Sequence, residues 1–233
     1  EDGRVRNRGV MLGIGVNTDG HREVLGMMLG DTESEESWTA FFSWLKQRGL
    51  RGVDLVVSDD HGGLVRSIRQ QLQGVTWQRC QTHFMRNIMN AAPKELKNEI
   101  YTHVRAILEA PDPETARMLL QQTIATFGEK AARAIRTLET GFDDATAVLS
   151  LPEKYRKRLR TTNSVERLNE EVRRRERVIR IFPNRESVVR LIGALLMEQD
   201  EKWAAGRKYF DMAEYLEWRK DRPRSSAKVT RIM

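Results

Sequence analysis

The chain of 233 residues, with 39% apolar and 31% charged residues, is typical of a soluble globular protein with one large or two smaller domains. It contains no apolar run near the roughly 20 residues that span a bilayer and opens with no signal-peptide pattern, so we expect no membrane association. The net charge is +7, and the single cysteine, Cys80, excludes an internal disulfide framework and indicates the reducing cytoplasm.

The first 92 residues alternate strand and helix patterns. Two apolar runs around a Thr-Asp-Gly turn predict a β-hairpin over residues 7–29. A helix follows and stops at Gly49, with one apolar face made of Trp38, Phe41, Phe42 and Leu45. The next predicted elements are strand 52–60, helix 64–72, strand 74–80 and helix 82–92. This order predicts an α/β layer architecture.

From about Lys94 to Leu151 the strand patterns disappear and helical patterns replace them. Helices are predicted within residues 97–110, 111–127 and 129–139. The second of them has Asp112 as its N-cap and Pro113 at its first helical position. We therefore expect an all-helical insertion between the α/β part and the C-terminal part.

The positive charge is concentrated in the last third of the chain. Residues 1–150 contain 18 Lys and Arg against 20 Asp and Glu, whereas residues 151–233 contain 22 against 13. Such a basic excess is typical of a region that faces a polyanion such as DNA, and equally of a solvated, charged helix face.

Residues 161–184 predict a helix within this basic region. Asn163 is a suitable N-cap, and an apolar stripe at helical spacing is formed by Val165, Leu168 and Val172. Glu166 follows Asn163 by three residues, which fits a capping-box glutamate that reaches back to the cap. It also fits a carboxylate at a metal–phosphate site, because it lies at the edge of the stripe among Arg160, Arg167 and Arg173.

Two other short stretches carry polar groups at the ends of predicted strands. Asp59 and Asp60 end the strand of VVSDDHGGL and indicate either a polar turn or a metal site. Cys80 and His83 form a C-x-x-H pair where the next strand meets its helix. A zinc site there would need about four ligands, so a buried, hydrogen-bonded histidine is the simpler interpretation.

Five ordered blocks resemble the motifs of the Mutator-type DDE transposases of bacterial insertion sequences. They run from about Gly9 to Phe210 and read GVNTDGHREVLGMMLGDTESEESW, VVSDDHGGL, TWQRCQTHFMRN, TTNSVERLNEEVRRR and IFPNRESVVRLIGALLMEQDEKWAAGRKYF. The resemblance implies an α/β fold with a ribonuclease-H-like mixed-sheet core, interrupted by an all-helical insertion. The implied segments are residues 1–92 (first part of the core), 93–155 (insertion), 156–210 (core completion with the glutamate-bearing helix) and 211–233 (basic tail).

The resemblance also implies a function and a set of site residues. The function is metal-dependent DNA strand cleavage and strand transfer, with Mg²⁺ or Mn²⁺ as cofactor and Asp59 and Glu166 as catalytic metal ligands. The expected neighbours of the site are Cys80, His83 and Asp60. Asp60 is expected to shape the turn, and it is the alternative to Asp59 as the metal ligand. The expected DNA-binding residues are Arg160, Arg167, Arg173 and Arg174. The implied partner is double-stranded DNA, both transposon ends and target, bound by a homo-oligomer in the cytoplasm at the nucleoid.

The first aspartate of the family motif has no counterpart on the strand GVMLGIGV. In the family it precedes the hairpin, on a strand that would lie before Glu1, and Asp2-Gly3 then corresponds to a turn after that strand. We therefore expect an N-terminally truncated transposase. The alternative is a catalytically inactive fragment that acts by binding DNA or by regulation.

Overall fold

The structure is a computed structural model that describes residues 8–30, 32–179 and 181–221. The Asp2-Gly3 turn and residues 222–233 of the predicted basic tail lie outside these ranges. The chain divides into two compact units. Unit 1 comprises residues 1–53, 61–74 and 163–233, and unit 2 comprises residues 54–60 and 75–162.

Four strands and ten α-helices make up the described chain. In chain order they are β1 Gly9–Val16, β2 Arg22–Gly30, α1 Glu35–Gln47, β3 Leu55–Ser58, α2 Gly62–Gln71, β4 Thr76–Arg79, α3 Gln81–Ala91, α4 Lys97–Leu108, α5 Pro113–Phe127, α6 Ala132–Thr146, α7 Glu153–Leu159, α8 Asn163–Ile179, α9 Arg185–Ala204 and α10 Ala213–Lys220. The predicted order of strands and helices up to α3, followed by helices alone, is confirmed.

In unit 1, helices cover the predicted hairpin. β1 and β2 pair antiparallel, from Gly9 opposite Gly30 to Val16 opposite Arg22. Helix α9 packs against β2 and helix α8 against β1, through a core of Leu168, Val172, Ile192 and Leu196. Leu168 and Val172 of the predicted apolar stripe therefore face the core, whereas Val165 is only partly buried.

Helices α1 and α2 pack closely within the same unit. This packing explains why Gly63, in the stretch that follows Asp60, is a glycine. A Cβ atom on Gly63 would lie 2.8 Å from the backbone nitrogen of Glu35, at the first turn of α1. Only glycine fits this approach without a shift of backbone. Arg66 on α2 pairs with the Glu35 carboxylate, which joins the two helices beside the contact.

Unit 2 is built on a parallel strand pair covered by helices. β3 and β4 run parallel from Leu55 opposite Thr76 to Ser58 opposite Arg79. The buried Gln78 side chain ties β4 to the end of α6, because it accepts from the Val148 backbone N–H at 2.6 Å and donates to the Ala145 carbonyl at 2.8 Å. Helices α3 to α6 enclose an apolar core that includes Phe84, Ile100, Phe127, Leu138 and Phe142.

The helical stretch follows its predicted pattern with two differences. Asp112 caps α5 through a bond from the Thr115 backbone N–H at 2.7 Å, with Pro113 as the first helical residue, as expected. The third predicted helix continues past residue 139 to Thr146, because the buried Phe142 and Ala145 extend its apolar face. Helix α7 was not predicted from the sequence.

Three further features complete the fold. Asn163 is the first residue of α8, whereas the sequence predicted it as the N-cap, which is the residue just before the helix. The described strands form two separate two-stranded sheets, one antiparallel and one parallel. None of the helices in the described ranges combines the length and apolar composition needed to cross a membrane.

Candidate active site

The candidate site lies where the two parallel strands of unit 2 end. Because parallel strands point the same way, the residues after Ser58 and after Arg79 emerge at one edge of the sheet. The Cys80 N–H donates to the Ser58 carbonyl at 2.8 Å and extends the pairing by one step. Asp59 and Cys80 are therefore neighbours, although 21 positions separate them in the sequence.

A cluster of Asp59, Cys80 and His83 forms at this edge. His83, in the first turn of α3, places Nδ1 2.7 Å from Oδ1 of Asp59. One carboxylate oxygen of Asp59, Sγ of Cys80 and a ring nitrogen of His83 all lie within 4.8 Å of one another. The cysteine is fully buried, whereas half of the Asp59 side chain is exposed.

Thr162 joins this cluster from a distant part of the chain. Its hydroxyl lies 3.3 Å from Sγ of Cys80 and 3.5 Å from Oδ1 of Asp59, within reach to donate to either. The Gln81 backbone N–H donates to the Arg160 carbonyl at 2.9 Å and holds residues 160–162 beside the start of α3. Sequence reasoning missed Thr162, since a threonine just before a helix resembles an ordinary capping residue.

Asp60 has a different environment from Asp59. Its carboxylate lies 2.8 Å from Nη1 of Arg79, whose side chain is only 10% exposed. The same guanidinium stacks over the Phe84 ring at 4.7 Å. Asp60 therefore neutralises a nearly buried cation, which fits the turn-shaping role expected for it, whereas Asp59 points to the Cys80–His83 pair.

Glu166 lies in the other compact unit, in the first turn of α8, and is half-buried. Leu168 and Val172 anchor this helix in the core of unit 1. Asp59 and Glu166 thus belong to different compact units, and their convergence on one ion stays a prediction.

The predicted DNA-binding arginines differ in whether an acidic side chain of the protein already pairs with them. Arg174 donates twice to the Glu171 carboxylate, at 2.9 and 2.7 Å, and Arg175 donates once at 3.3 Å. Hydrogen bonds from Arg174 and then Arg175 hold the pKa of Glu171 at about 2, so this carboxylate stays charged at any physiological pH. Arg160 lies 3.7 Å from Glu109.

Arg167 and Arg173 are exposed, and neither forms an ion pair with another residue of the described ranges. Arg173 follows Glu166 by seven residues, which is close to two turns of α8. The two side chains therefore share one face of the helix, and the charge of Arg173 is available to an external anion.

Comparison with known proteins identifies related sequences. The family model described as Transposase, Mutator family, matches residues 1–206. The transposase for insertion sequence element IS256 in transposon Tn4001 of Staphylococcus aureus is 44% identical over 214 residues, which are 91% of this chain and 55% of that protein. The transposase for IS1081 of Mycobacterium tuberculosis is 39% identical over 91% of this chain and 51% of its own length.

A third relative, the transposase for ISRM5 of Rhizobium meliloti, is 36% identical over 94% of this chain and 55% of its own length. The chain thus spans about half the length of these curated relatives.

The contrast between the two aspartates gives a stability prediction. Asp60→Asn leaves the nearly buried Arg79 without its charged partner, and we expect the free energy of unfolding to fall by about 1.5 kcal/mol. Asp59→Asn removes a half-exposed carboxylate, and we expect a change of about 0.5 kcal/mol or less. Urea denaturation of the two variants measures both values, and equal losses would contradict the distinct roles.

Proposed function

The chain belongs to the Mutator family of transposases, and from this premise we propose that it carries the catalytic part of an enzyme that cuts DNA at insertion-sequence ends and transfers the strands to target DNA. The proposal is supported by the strand edge of unit 2, where Asp59 is half-exposed and held by polar neighbours. The sequence resemblance makes Asp59 the expected catalytic carboxylate. The partner is then double-stranded DNA, bound by a homo-oligomer in the cytoplasm.

The proposed core is ribonuclease-H-like, with the helical insertion at residues 93–155 between its two parts, 1–92 and 156–210. Its support is the order of elements: a hairpin, a helix, two strand–helix pairs, a helical stretch and then the glutamate-bearing helix α8. In this arrangement Asp59 comes from a strand end and Glu166 from a helix. The basic tail at 211–233 completes the proposed organisation.

The proposed cofactor is a divalent ion, Mg²⁺ or Mn²⁺, with Asp59 and Glu166 as its protein ligands. When bound, such ions stabilise the attacking and leaving oxygens of an in-line displacement at phosphorus. Asp59 fits this role, since Mg²⁺ prefers carboxylate oxygen and half of the side chain is open to solvent. Cys80 and His83 are ligands that Mg²⁺ does not favour, so the remaining oxygens would come from water and DNA phosphate.

Several side chains then have distinct tasks. Thr162 and His83 fix the orientation of the Asp59 carboxylate from two sides. Asp60 keeps the turn in place through Arg79. Arg173, on the same face of α8 as Glu166, holds a DNA phosphate near the cleaved bond. Arg174, in contrast, is already paired with the Glu171 carboxylate. We therefore rank Arg173 and Arg167 above Arg174 and Arg160 as DNA contacts.

The first test is strand cleavage by a full-length transposase that carries this chain. Asp59→Asn and Glu166→Gln each remove a group that stabilises charge in the transition state, and we expect cleavage of insertion-sequence end DNA to fall at least about a hundredfold. Binding of the same DNA, measured by gel shift, should change little.

Asp60→Asn is the matched control, assayed at a temperature where the variant is folded, and should retain cleavage. An Asp59→Asn enzyme that still cuts, beside an inactive Asp60→Asn enzyme, would assign the metal to Asp60 instead. A wild-type protein that binds these DNA ends but cuts with neither Mg²⁺ nor Mn²⁺ would support the inactive, regulatory alternative.

The second test concerns the arginines of α8. Each phosphate contact on duplex DNA contributes about 0.9 to the slope of log K against log salt concentration. We expect Arg173→Ala to lower this slope by about one unit and Arg174→Ala to lower it less, because Glu171 already engages that guanidinium. Arg105→Ala, on a helix of the proposed insertion and paired with Glu109, is the control. An unchanged slope for Arg173→Ala would contradict the assignment.

A further inference from the structure

Two members of the Asp59–Cys80–His83 cluster, Cys80 and His83, are potential metal ligands that the proposed magnesium chemistry does not use. We propose that these three residues form a binding site for a borderline-soft transition-metal ion of the Zn²⁺ class. We further propose that an ion bound there occupies the Asp59 carboxylate and thereby inhibits Mg²⁺-dependent cleavage. The second step rests on the proposed function, whereas the first is a property of unit 2 alone.

The fold brings the three potential ligand atoms close together. Cys80 is the N-cap of α3 and His83 lies three residues further on, in the first turn of the helix, so that both residues lie at the same helix end. The parallel pairing of β3 with β4 sets the Asp59 backbone beside that face. Their donor atoms already lie within 4.8 Å of one another, before any ion draws them together.

The chemistry of the donors selects the ion. Thiolate, imidazole and carboxylate are the three ligand types that Zn²⁺ takes in proteins, whereas Mg²⁺ avoids sulfur. Cys80 is fully buried, yet its sulfur faces the Thr162 hydroxyl at 3.3 Å and the polar cluster. A binding ion displaces the thiol proton to solvent and is held by one thiolate, one neutral imidazole and one carboxylate.

The site needs only a small adjustment to take the ion. Two ligands at about 2.0 Å from a tetrahedral Zn²⁺ lie about 3.3 Å apart. The 2.7 Å separation between His83 Nδ1 and Asp59 Oδ1 must therefore open by about half an ångström. The half-exposed Asp59 side chain can make this movement. With three protein ligands, the fourth position stays open to water, as in catalytic rather than structural zinc sites.

Cobalt spectroscopy tests the site directly on the full chain without DNA. Co²⁺ replaces Zn²⁺ at such sites and gives a thiolate-to-metal charge-transfer band only when sulfur is a ligand. Because Cys80 is the only cysteine, any such band reports this site. We expect the band in the wild-type protein, its loss in Cys80→Ser, and about tenfold or greater weakening of Co²⁺ binding in His83→Gln and Asp59→Asn.

Asp60→Asn is the control for metal binding, since this neighbouring carboxylate pairs with Arg79 and lies outside the cluster. Its cobalt band should be unchanged. A folded wild-type protein without the band, or a band that is insensitive to both His83→Gln and Asp59→Asn, would overturn the proposal. The latter two variants keep the cysteine, so the test survives if Cys80→Ser fails to fold.

Zinc inhibition tests the second step. Zn²⁺ is titrated into the Mg²⁺-dependent cleavage reaction of both enzymes. The Zn²⁺ concentration that half-inhibits the wild-type enzyme should be at least about tenfold lower than the concentration that half-inhibits Cys80→Ser. Equal inhibition of the two would overturn the claim that this site controls Asp59. A protein that shows the cobalt band but never cuts DNA refutes the proposed function and leaves the metal site supported.

Discussion

The parallel pairing of β3 with β4 is the constraint on which the candidate site depends. Two strands of four residues each are too short to be stable alone, and their register is fixed by packing around them. The buried Gln78 side chain ties β4 to the backbone at the end of α6. Without this register Asp59 and Cys80 would not emerge side by side, and His83 would have no carboxylate to contact.

Alternation along an extended chain explains why adjacent aspartates have different surroundings. Successive side chains of a strand point in opposite directions, and the direction changes again as the chain leaves β3. Asp60 meets the nearly buried Arg79 guanidinium, while Asp59 meets the His83 imidazole. One carboxylate therefore compensates a fixed internal charge, and the other keeps half of its surface open to solvent and to a ligand.

Local patterns in the sequence were sufficient to predict most of the elements. The hairpin turn at residues 18–20, the Asp112 cap and the apolar stripe of α8 all act over a few residues, so that each could be recognised from the sequence alone. The resemblance to a family supplied Asp59 and Glu166. Pairing between distant segments has no local signal, which is why Thr162 beside Cys80 and Arg79 beside Asp60 were not foreseen.

If Asp59 is a ligand of the catalytic metal, then a change of its ligand atom should change which metal ion supports cleavage. Under reducing conditions, a transposase with Asp59→Cys offers sulfur in place of oxygen, which Mg²⁺ avoids and Mn²⁺ accepts more readily. We expect this enzyme to be inactive with Mg²⁺ and to regain DNA strand cleavage with Mn²⁺, while Asp60→Cys remains active with Mg²⁺. Full activity of Asp59→Cys with Mg²⁺ would show that Asp59 is not a ligand of the catalytic metal.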